Sequence, residues 1–241
     1  MNSFKTQQAR WAKGLIQVAK KILPLIWQSD QPLYIKIEAT MHLTANAAYP
    51  LMILFSLILL PAMVVRFYQG WFQMLYLDLP LFIASTCTVS GFYIVSQREL
   101  YPRGWWKRAK YLPFLMATGI GLAVTNGKAV IEAVLGIEST FVRTPKYRVE
   151  RGEEGWEQKK YVRRRSGWIP WAEVALAGYF LYTTAYSVSV RNYLTTPFLG
   201  LFFVGYSYMG TMSLLQTPLR RLWYNLPAFA RVRARSVSPA T

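Results

Sequence analysis

Acidic side chains and the usual metal ligands are scarce in this chain. Its 241 residues include 11 Asp and Glu against 28 Lys and Arg, with one histidine and one cysteine. A single cysteine excludes a disulfide framework, and Cys87 lies in an apolar run, where a small buried hydrophobic residue is the expected role. His42 precedes the first long apolar run and is expected to be an interfacial polar residue rather than a base.

Charge of either sign is also low for a soluble protein. Charged residues make up 16% of the chain, whereas a soluble domain has roughly a quarter. Hydrophobic residues make up 53%, and the formal net charge is +17. This combination indicates a membrane protein with basic loops or a nucleic-acid-binding protein, and long uncharged runs decide for the membrane. We therefore expect the lipid bilayer as a partner and no nucleic acid.

Four runs with almost no charge are long enough to cross a bilayer core of about 30 Å as helices. They are residues 43–65, 79–96, 168–190 and 193–215. The second run is expected to extend backwards past Asp78 towards Trp71. Pro50 and Pro61 lie in the first run, and membrane-spanning helices tolerate proline when a neighbour satisfies the freed carbonyl. The predicted fold class is an all-α integral membrane protein with about four transmembrane helices.

The N-terminal segment has the pattern of an amphipathic helix. Its apolar residues recur at spacings of three, four and seven, and they are Phe4, Trp11, Leu15, Val18 and Ile22. Lys13, Lys20 and Lys21 are expected elsewhere on its surface, and Pro24 is expected to end or kink the helix. Residues 3–23 therefore predict a helix lying at the membrane interface, with a soluble partner helix as the alternative.

Residues 111–136 form an interrupted apolar segment. Their first part is apolar over only 13 residues, which is too short to span a membrane as a helix. Asn126, Lys128 and Glu132 interrupt the remainder. We predict that this segment lies in the interface or re-enters the membrane without crossing it.

The positive charges predict the topology. Lys and Arg number six in residues 1–37, five in 97–110, nine in 138–168 and five in 219–241. If residues 111–136 crossed the membrane, one of these basic blocks would lie outside. Without that crossing all four blocks, and both termini, are cytoplasmic.

These patterns divide the chain into five regions. They are an interfacial helix region at 1–37, two transmembrane helices at 38–96, a cytoplasmic and interfacial segment at 97–167, two transmembrane helices at 168–216 and a basic cytoplasmic tail at 217–241.

A compact polar and aromatic cluster, Gln7-Gln8-Ala9-Arg10-Trp11, lies in the N-terminal helix. Amides and a guanidinium can bind phosphate oxygens, and the guanidinium offers a bidentate fork. An indole offers a flat apolar face on which a sugar ring can stack. The alternative is an ordinary surface helix whose Arg10 is solvated and whose Trp11 lies at the membrane interface.

A second segment, Phe141-Val142-Arg143-Thr144-Pro145-Lys146-Tyr147, lies in the basic region before the third run. Its proline favours extended backbone, and its hydroxyl and two cations suit an anionic ligand. The alternative is a solvated basic loop near acidic lipid headgroups.

Both segments resemble motifs of one family. Gln7–Trp11 resembles the Gln-Gln/Arg-x-Arg-Trp signature of processive family 2 glycosyltransferases, the cellulose synthase-like enzymes, and its flanks look like those of bacterial members. Residues 141–147 resemble the gating loop of that family, Phe-x-Val-Thr-x-Lys, with Arg143 where valine is usual. The order of signature helix, two spans, interfacial helix, gating loop and two spans is also similar.

The resemblance implies specific roles. Gln7, Gln8 and Arg10 would lie against the nucleotide diphosphate, and Trp11 would stack beneath the terminal sugar of the acceptor. Thr144 and Lys146 would swing in over the nucleotide-sugar, with Phe141 and Arg143 in the same gating-type loop. The spans would line a tunnel for the polysaccharide. Tyrosines suited to such a lining, or alternatively to ordinary helix packing, are Tyr179, Tyr182, Tyr186, Tyr206 and Tyr208.

The chemistry of that family lies in a cytosolic α/β domain upstream of the signature helix. No Asp-x-Asp or Thr-Glu-Asp motif occurs in this chain, whose only aspartates are Asp30 and Asp78. We therefore expect the catalytic α/β domain to be absent and no catalytic residue or metal site to lie in this chain. Mg²⁺ or Mn²⁺ is expected in the complete enzyme, because a nucleotide-sugar site needs carboxylates around a cation.

The sequence thus predicts the C-terminal membrane and acceptor-binding part of a hexosyltransferase-type enzyme. That enzyme would transfer sugar from a nucleotide-sugar to a growing polysaccharide, and this part would be inactive alone. The expected location is a bacterial plasma (inner) membrane, with a Golgi membrane as the alternative. Two other interpretations stay open: a non-catalytic membrane channel or docking subunit for a separate catalytic chain, and an unrelated basic membrane protein that binds anionic lipid.

Overall fold

The computed structural model describes residues 1–70, 72–138 and 167–225, with the backbone alone for residues 72–82, 85 and 216–225. Every regular element in these ranges is helical, so the predicted all-α class is confirmed for them. The helices are α1 (Asn2–Gln28), α2 (Leu33–Thr44), α3 (Ala48–Gln69), α4 (Phe72–Leu100), α5 (Trp105–Ala109), α6 (Leu112–Gly121), α7 (Ala123–Val134), α8 (Ile169–Ser189) and α9 (Thr196–Asn225). A short 3₁₀ turn, Ala45–Ala47, joins α2 to α3.

Two helical stretches are long and apolar enough to cross a membrane, by length and composition. They are Leu33–Gln69, which runs from α2 through α3, and Thr196–Leu215 in α9. A third candidate is the pair Trp105–Gly121 and Ala123–Val134, which is bent by 42° at a short break. Two or three spans are therefore supported by the described helices, and these correspond to the predicted runs 43–65 and 193–215 and the interrupted segment 111–136.

The other two predicted runs also form helices. α8 matches residues 168–190 closely, and α4 begins at Phe72, so the second run does extend backwards past Asp78. Whether α4 and α8 cross a membrane stays a prediction. The count of four spans therefore also stays a prediction.

The course of α1 differs from the prediction. The helix continues through Pro24 to Gln28, so Pro24 does not end it. A kink at Pro24 stays a prediction. Its buried residues are Lys5, Ala12, Lys13, Ile16 and Ala19. The expectation that Lys13 lies on the surface is therefore wrong, whereas Lys20 and Lys21 are exposed as predicted.

The apolar residues Phe4, Trp11, Val18 and Ile22 are exposed, on the sides of α1 that do not pack against the protein. Exposed apolar side chains beside exposed lysines are the surface that an interfacial helix presents to a bilayer. The predicted amphipathic pattern is thus present, and its apolar side chains face away from the rest of the protein.

Proline in α3 is accommodated by α8. Because Pro61 has no N–H, the carbonyl of Leu57 loses its usual intrahelical donor. The hydroxyl of Tyr179 donates to that carbonyl, with an oxygen–oxygen distance of 3.1 Å, and accepts from the N–H of Leu60 at 3.2 Å. This confirms the expectation that a neighbouring helix satisfies the freed carbonyl at Pro61.

Aromatic packing forms the core between α3, α8 and α9. The ring of Phe180 stacks on Phe202 and on Tyr206, with centroid distances of 4.7 Å and 5.7 Å. The Tyr206 hydroxyl lies 3.0 Å from the hydroxyl of Ser56, so its polar end is also satisfied. Phe180 and Tyr206 are fully buried, and they fix α8 and α9 against α3.

Glycine allows α6 and α9 to touch through their backbones. A Cβ at Gly205 would lie 2.2 Å from the carbonyl oxygen of Ala117, and one at Gly121 would lie 2.3 Å from the carbonyl oxygen of Gly205. Small residues that permit such approach are typical of helix contacts in membranes. The contact positions α6, and hence α7, against the rest of the bundle.

We predict that Gly205→Ala destabilises the protein by about 1–3 kcal/mol, because the added methyl meets a backbone oxygen that cannot move aside. Thermal unfolding in detergent measures the effect. The control is Gly200→Ala on the same helix, where nothing lies within 4 Å of the new methyl and alanine favours the helix by up to about 1 kcal/mol. Equal melting temperatures for the two variants would contradict the close contact.

Candidate functional site

The helix that carries the Gln7–Trp11 cluster packs along α7. Ala12 and Ile16 of α1 form a buried apolar cluster with Val130 and Ala133 of α7. This apolar contact holds the middle of α1 against the last two turns of α7.

Polar contacts extend the interface between α1 and α7 and show the relative direction of the two helices. Lys13 forms an ion pair with Glu132, with a nitrogen–oxygen distance of 3.0 Å, and Glu132 also pairs with Lys128 of its own helix. Lys20 donates to the carbonyl of Val134 at 2.9 Å, where the last turn of α7 has carbonyls without intrahelical donors. Since positions on α1 rise together with those on α7, the two helices run in the same direction.

A buried ion pair anchors the start of α1 in the bundle. Lys5 pairs with Glu173 of α8 and donates to the carbonyl of Met209 in α9 at 3.1 Å. The hydroxyl of Thr125 in α7 donates to the other oxygen of Glu173 at 3.3 Å. Glu173 is 0% exposed and Lys5 is 6% exposed, so four helices meet at a polar cluster shielded from solvent.

The electrostatics of this cluster depend on both partners. Burial lowers the pKa of Lys5, because it disfavours the charged ammonium, and the carboxylate of Glu173 opposes that shift. Removal of one partner would leave the other charge buried without compensation. The pair therefore binds α1 to α8 and α9 as a unit.

The residues predicted to recognise the ligand lie on α1 between these anchors. Gln7, Arg10 and Trp11 are spaced by three and four residues, so they share one side of the helix. That side points away from the face that Lys5, Ala12 and Ile16 bury. Trp11 is 57% exposed, and Gln7, Gln8 and Arg10 are half-buried. Trp11 therefore presents an exposed indole, and the half-buried Arg10 lies on the same side of the helix.

The predicted gating-type loop lies outside the described residues, which leave out 139–166. Phe141, Arg143, Thr144 and Lys146 therefore stay predictions. Both helices that flank these residues are described, and both contact α1. The end of α7 contacts Lys13 and Lys20, and Glu173, one turn into α8, contacts Lys5.

Four of the five tyrosines predicted either to line a tunnel or to pack between helices make packing contacts, and Tyr186 lies against the aromatic core. Tyr206 is buried and bonded to Ser56, and the hydroxyl of Tyr179 is used by α3. Tyr182 is exposed, and Tyr208 packs edge-on against Phe114. Among the described residues, no three His, Cys, Asp or Glu side chains come together in a way that could hold a metal ion.

The buried ion pair was not predicted from the sequence, although one signal was present. Glu173 is the only charged residue in the run 168–190, and a carboxylate inside an apolar span needs a partner. Its partner lies 168 positions away in the chain, so no local pattern connects the two.

We predict that Lys5→Met and Glu173→Gln each lower the free energy of unfolding by about 3–5 kcal/mol, because each leaves a buried group without its partner. The double variant should lose less than the sum, with a coupling energy of roughly 1–3 kcal/mol. Denaturant titration in mixed micelles measures both quantities. Lys21→Met, on the exposed side of α1, is the control and should be neutral. Additive losses in the double variant would rule out the coupling.

A scan against models of known protein families found no match to this chain. Searches of curated proteins and of solved structures also found no similar protein.

Proposed function

We propose that this chain is the membrane and acceptor-binding part of a processive family 2 glycosyltransferase, which transfers sugar from a nucleotide-sugar to a growing polysaccharide. The observation that carries the proposal is the packing of α1 against α7 and α8. The two segments that resemble the family are the Gln7–Trp11 cluster and residues 141–147. The first lies on α1, and the second joins the two helices that contact α1. A shared scaffold for both segments is what a common ligand requires.

The side chains on the open face of α1 suit the proposed ligand. Gln7 and Arg10 offer an amide and a bidentate guanidinium to a nucleotide diphosphate, and Gln8 follows Gln7 in the chain, towards the buried side of the helix. Trp11 offers an exposed ring to the terminal sugar of the acceptor, where stacking would hold its hydroxyl towards the donor. Thr144 and Lys146 are proposed to cover the nucleotide-sugar. In this account the chain binds and orients its ligands.

The bond-forming step is assigned to a separate or preceding catalytic domain. There an acceptor hydroxyl attacks the anomeric carbon, the bond to the diphosphate breaks, and the hydroxyl proton passes to a carboxylate base. The described residues offer no carboxylate cluster for Mg²⁺ or Mn²⁺, so the cation of the complete enzyme is assigned to that domain too. In this proposal no residue of this chain makes or breaks a bond.

The proposed location is a bacterial plasma membrane, with both termini in the cytoplasm. α3, α4, α8 and α9 are proposed to cross the bilayer, and the bent pair of α6 and α7 to re-enter from the cytoplasmic side. Leucine and phenylalanine side chains along α3, including Leu51, Leu54 and Phe55, are exposed. A continuous exposed apolar surface of this kind is suited to lipid.

A second form of the proposal is a non-catalytic docking subunit. The exposure of Trp11 favours it equally, because a separate catalytic chain could cover the open face of α1. The two forms differ in whether the catalytic domain is joined to this chain. Activity restored by a catalytic domain added as a separate polypeptide would support the subunit form.

We predict that the chain alone transfers no sugar and that its assembly with a catalytic domain of this family does. In that assembly, Arg10→Ala should lower the initial rate of sugar incorporation by roughly 10- to 100-fold, the equivalent of losing a charged hydrogen bond of about 1.5–3 kcal/mol. Trp11→Ala should lower polymer yield, because the acceptor loses its stacking surface. Incorporation of radiolabelled sugar into polymer is the measurement.

The matched control is Val18→Ala, which removes an exposed side chain from the same side of α1 two turns after Trp11. It should keep the rate of the unsubstituted assembly. Unchanged polymer yield in both Arg10→Ala and Trp11→Ala would reject the proposed role of α1, as would turnover of a nucleotide-sugar by the chain alone.

A further inference from the structure

A cluster of cations lies in the connection between α4 and α6. An open cleft of about 760 Å³ occurs there, lined by Leu100, Tyr101, Arg103, Lys107, Arg108 and Lys110, among others. The four cations are all exposed. None of them forms an ion pair with a carboxylate in the described part of the chain.

The backbone holds these cations around the cleft. Tyr101 donates its N–H to the carbonyl of Gln97 at 2.9 Å, and Gly104 donates to the carbonyl of Tyr101 at 3.0 Å. Tyr111 donates to the carbonyl of Arg108 at 3.0 Å, which closes the turn after α5. Successive hydrogen-bonded turns therefore bring four cations from eight consecutive positions to one cleft.

Three of the four cations lie over aromatic rings. The ammonium of Lys107 is 5.4 Å from the ring centroid of Trp106, and that of Lys110 is 5.0 Å from the ring centroid of Tyr111. The guanidinium carbon of Arg108 lies 3.5 Å from the ring centroid of Tyr101, which is a close cation–π contact. This contact uses the face of the guanidinium and leaves the N–H groups at its edge for an anion. A guanidinium edge next to ammonium groups suits the oxygens of a phosphate.

Aromatic side chains occur at the cleft and next to it in sequence. Tyr111 lines the cleft and is exposed, and Trp106 on α5 and Phe114 on α6 are exposed as well. Trp and Tyr are typical of the headgroup level of a bilayer, where one part of the side chain meets lipid chains and another meets polar groups. A soluble anion would have no use for this apolar surface, whereas the acyl chains of a lipid would cover it.

We propose that this cleft is a binding site for the phosphate group of an anionic phospholipid, with the acyl chains along the adjoining aromatic side chains. The site is independent of the proposed glycosyltransferase function, because it contains no residue of α1 or of residues 141–147.

Lipid binding to the purified full chain in detergent tests this proposal. The probes are phosphatidylglycerol and phosphatidylcholine with the same acyl chains, and inorganic phosphate, each titrated and followed by native mass spectrometry. We expect the chain to bind phosphatidylglycerol more tightly than phosphatidylcholine. Lys107→Gln/Lys110→Gln should weaken phosphatidylglycerol binding by roughly tenfold or more, because two of the four cations are lost.

The matched control is Lys21→Gln/Lys36→Gln, which removes an exposed and a half-buried lysine outside the cleft and should keep the original affinity. Melting temperatures verify that both double variants are folded. Equal affinity for the two lipids, or equal weakening by the two double variants, would overturn the site. Inorganic phosphate that binds as tightly as phosphatidylglycerol would overturn the lipid as its occupant.

Discussion

The position of α1 depends on the buried ion pair between Lys5 and Glu173. The carbonyl of Met209 and the hydroxyl of Thr125 complete this cluster, so α1, α7, α8 and α9 meet at one polar point inside the protein. If α1 moved away, Glu173 would keep a charge in an apolar interior without its partner. The N-terminal helix is therefore a structural part of the bundle, although its outward apolar residues also suit a bilayer interface.

This anchoring explains how one helix can serve two purposes. Lys5, Ala12 and Ile16 bury one face of α1, which leaves the opposite side, with Gln7, Arg10 and Trp11, open to a ligand or to another domain. A rigid helix holds such side chains more precisely than a loop does. The proposed lipid site lies in a different connection, between α4 and α6. Both proposals place basic and aromatic side chains at the cytoplasmic side of the membrane.

Much of the helical layout could be predicted from local patterns. Uncharged runs predicted the bounds of α8, and the expected backward extension of α4 is present. The break between α6 and α7 was not predicted, because it falls at Leu122 in an apolar stretch, whereas Asn126, Lys128 and Glu132 lie inside α7. Which face of each helix is buried, and which helix it contacts, could not be predicted in the same way. The periodic apolar residues of α1 identified the side that faces away from the protein. Small residues and Lys13 form its buried side, because close packing against α7 favours alanine over bulkier residues. Motif likeness singled out Gln7–Trp11, but the pairing of Lys5 with Glu173 joins distant segments that no single-sequence period connects.

The most direct test of this account is the accessibility of two neighbouring positions on α1. In a Cys87→Ser background, Trp11→Cys and Ala12→Cys are each labelled with a membrane-impermeant thiol reagent in sealed inside-out and right-side-out vesicles. Trp11 is 57% exposed and Ala12 is 1% exposed. The account predicts that Trp11→Cys reacts from the cytoplasmic side alone and that Ala12→Cys reacts from neither side. Equal labelling of both positions, or labelling of Trp11→Cys from the outer side, would contradict it.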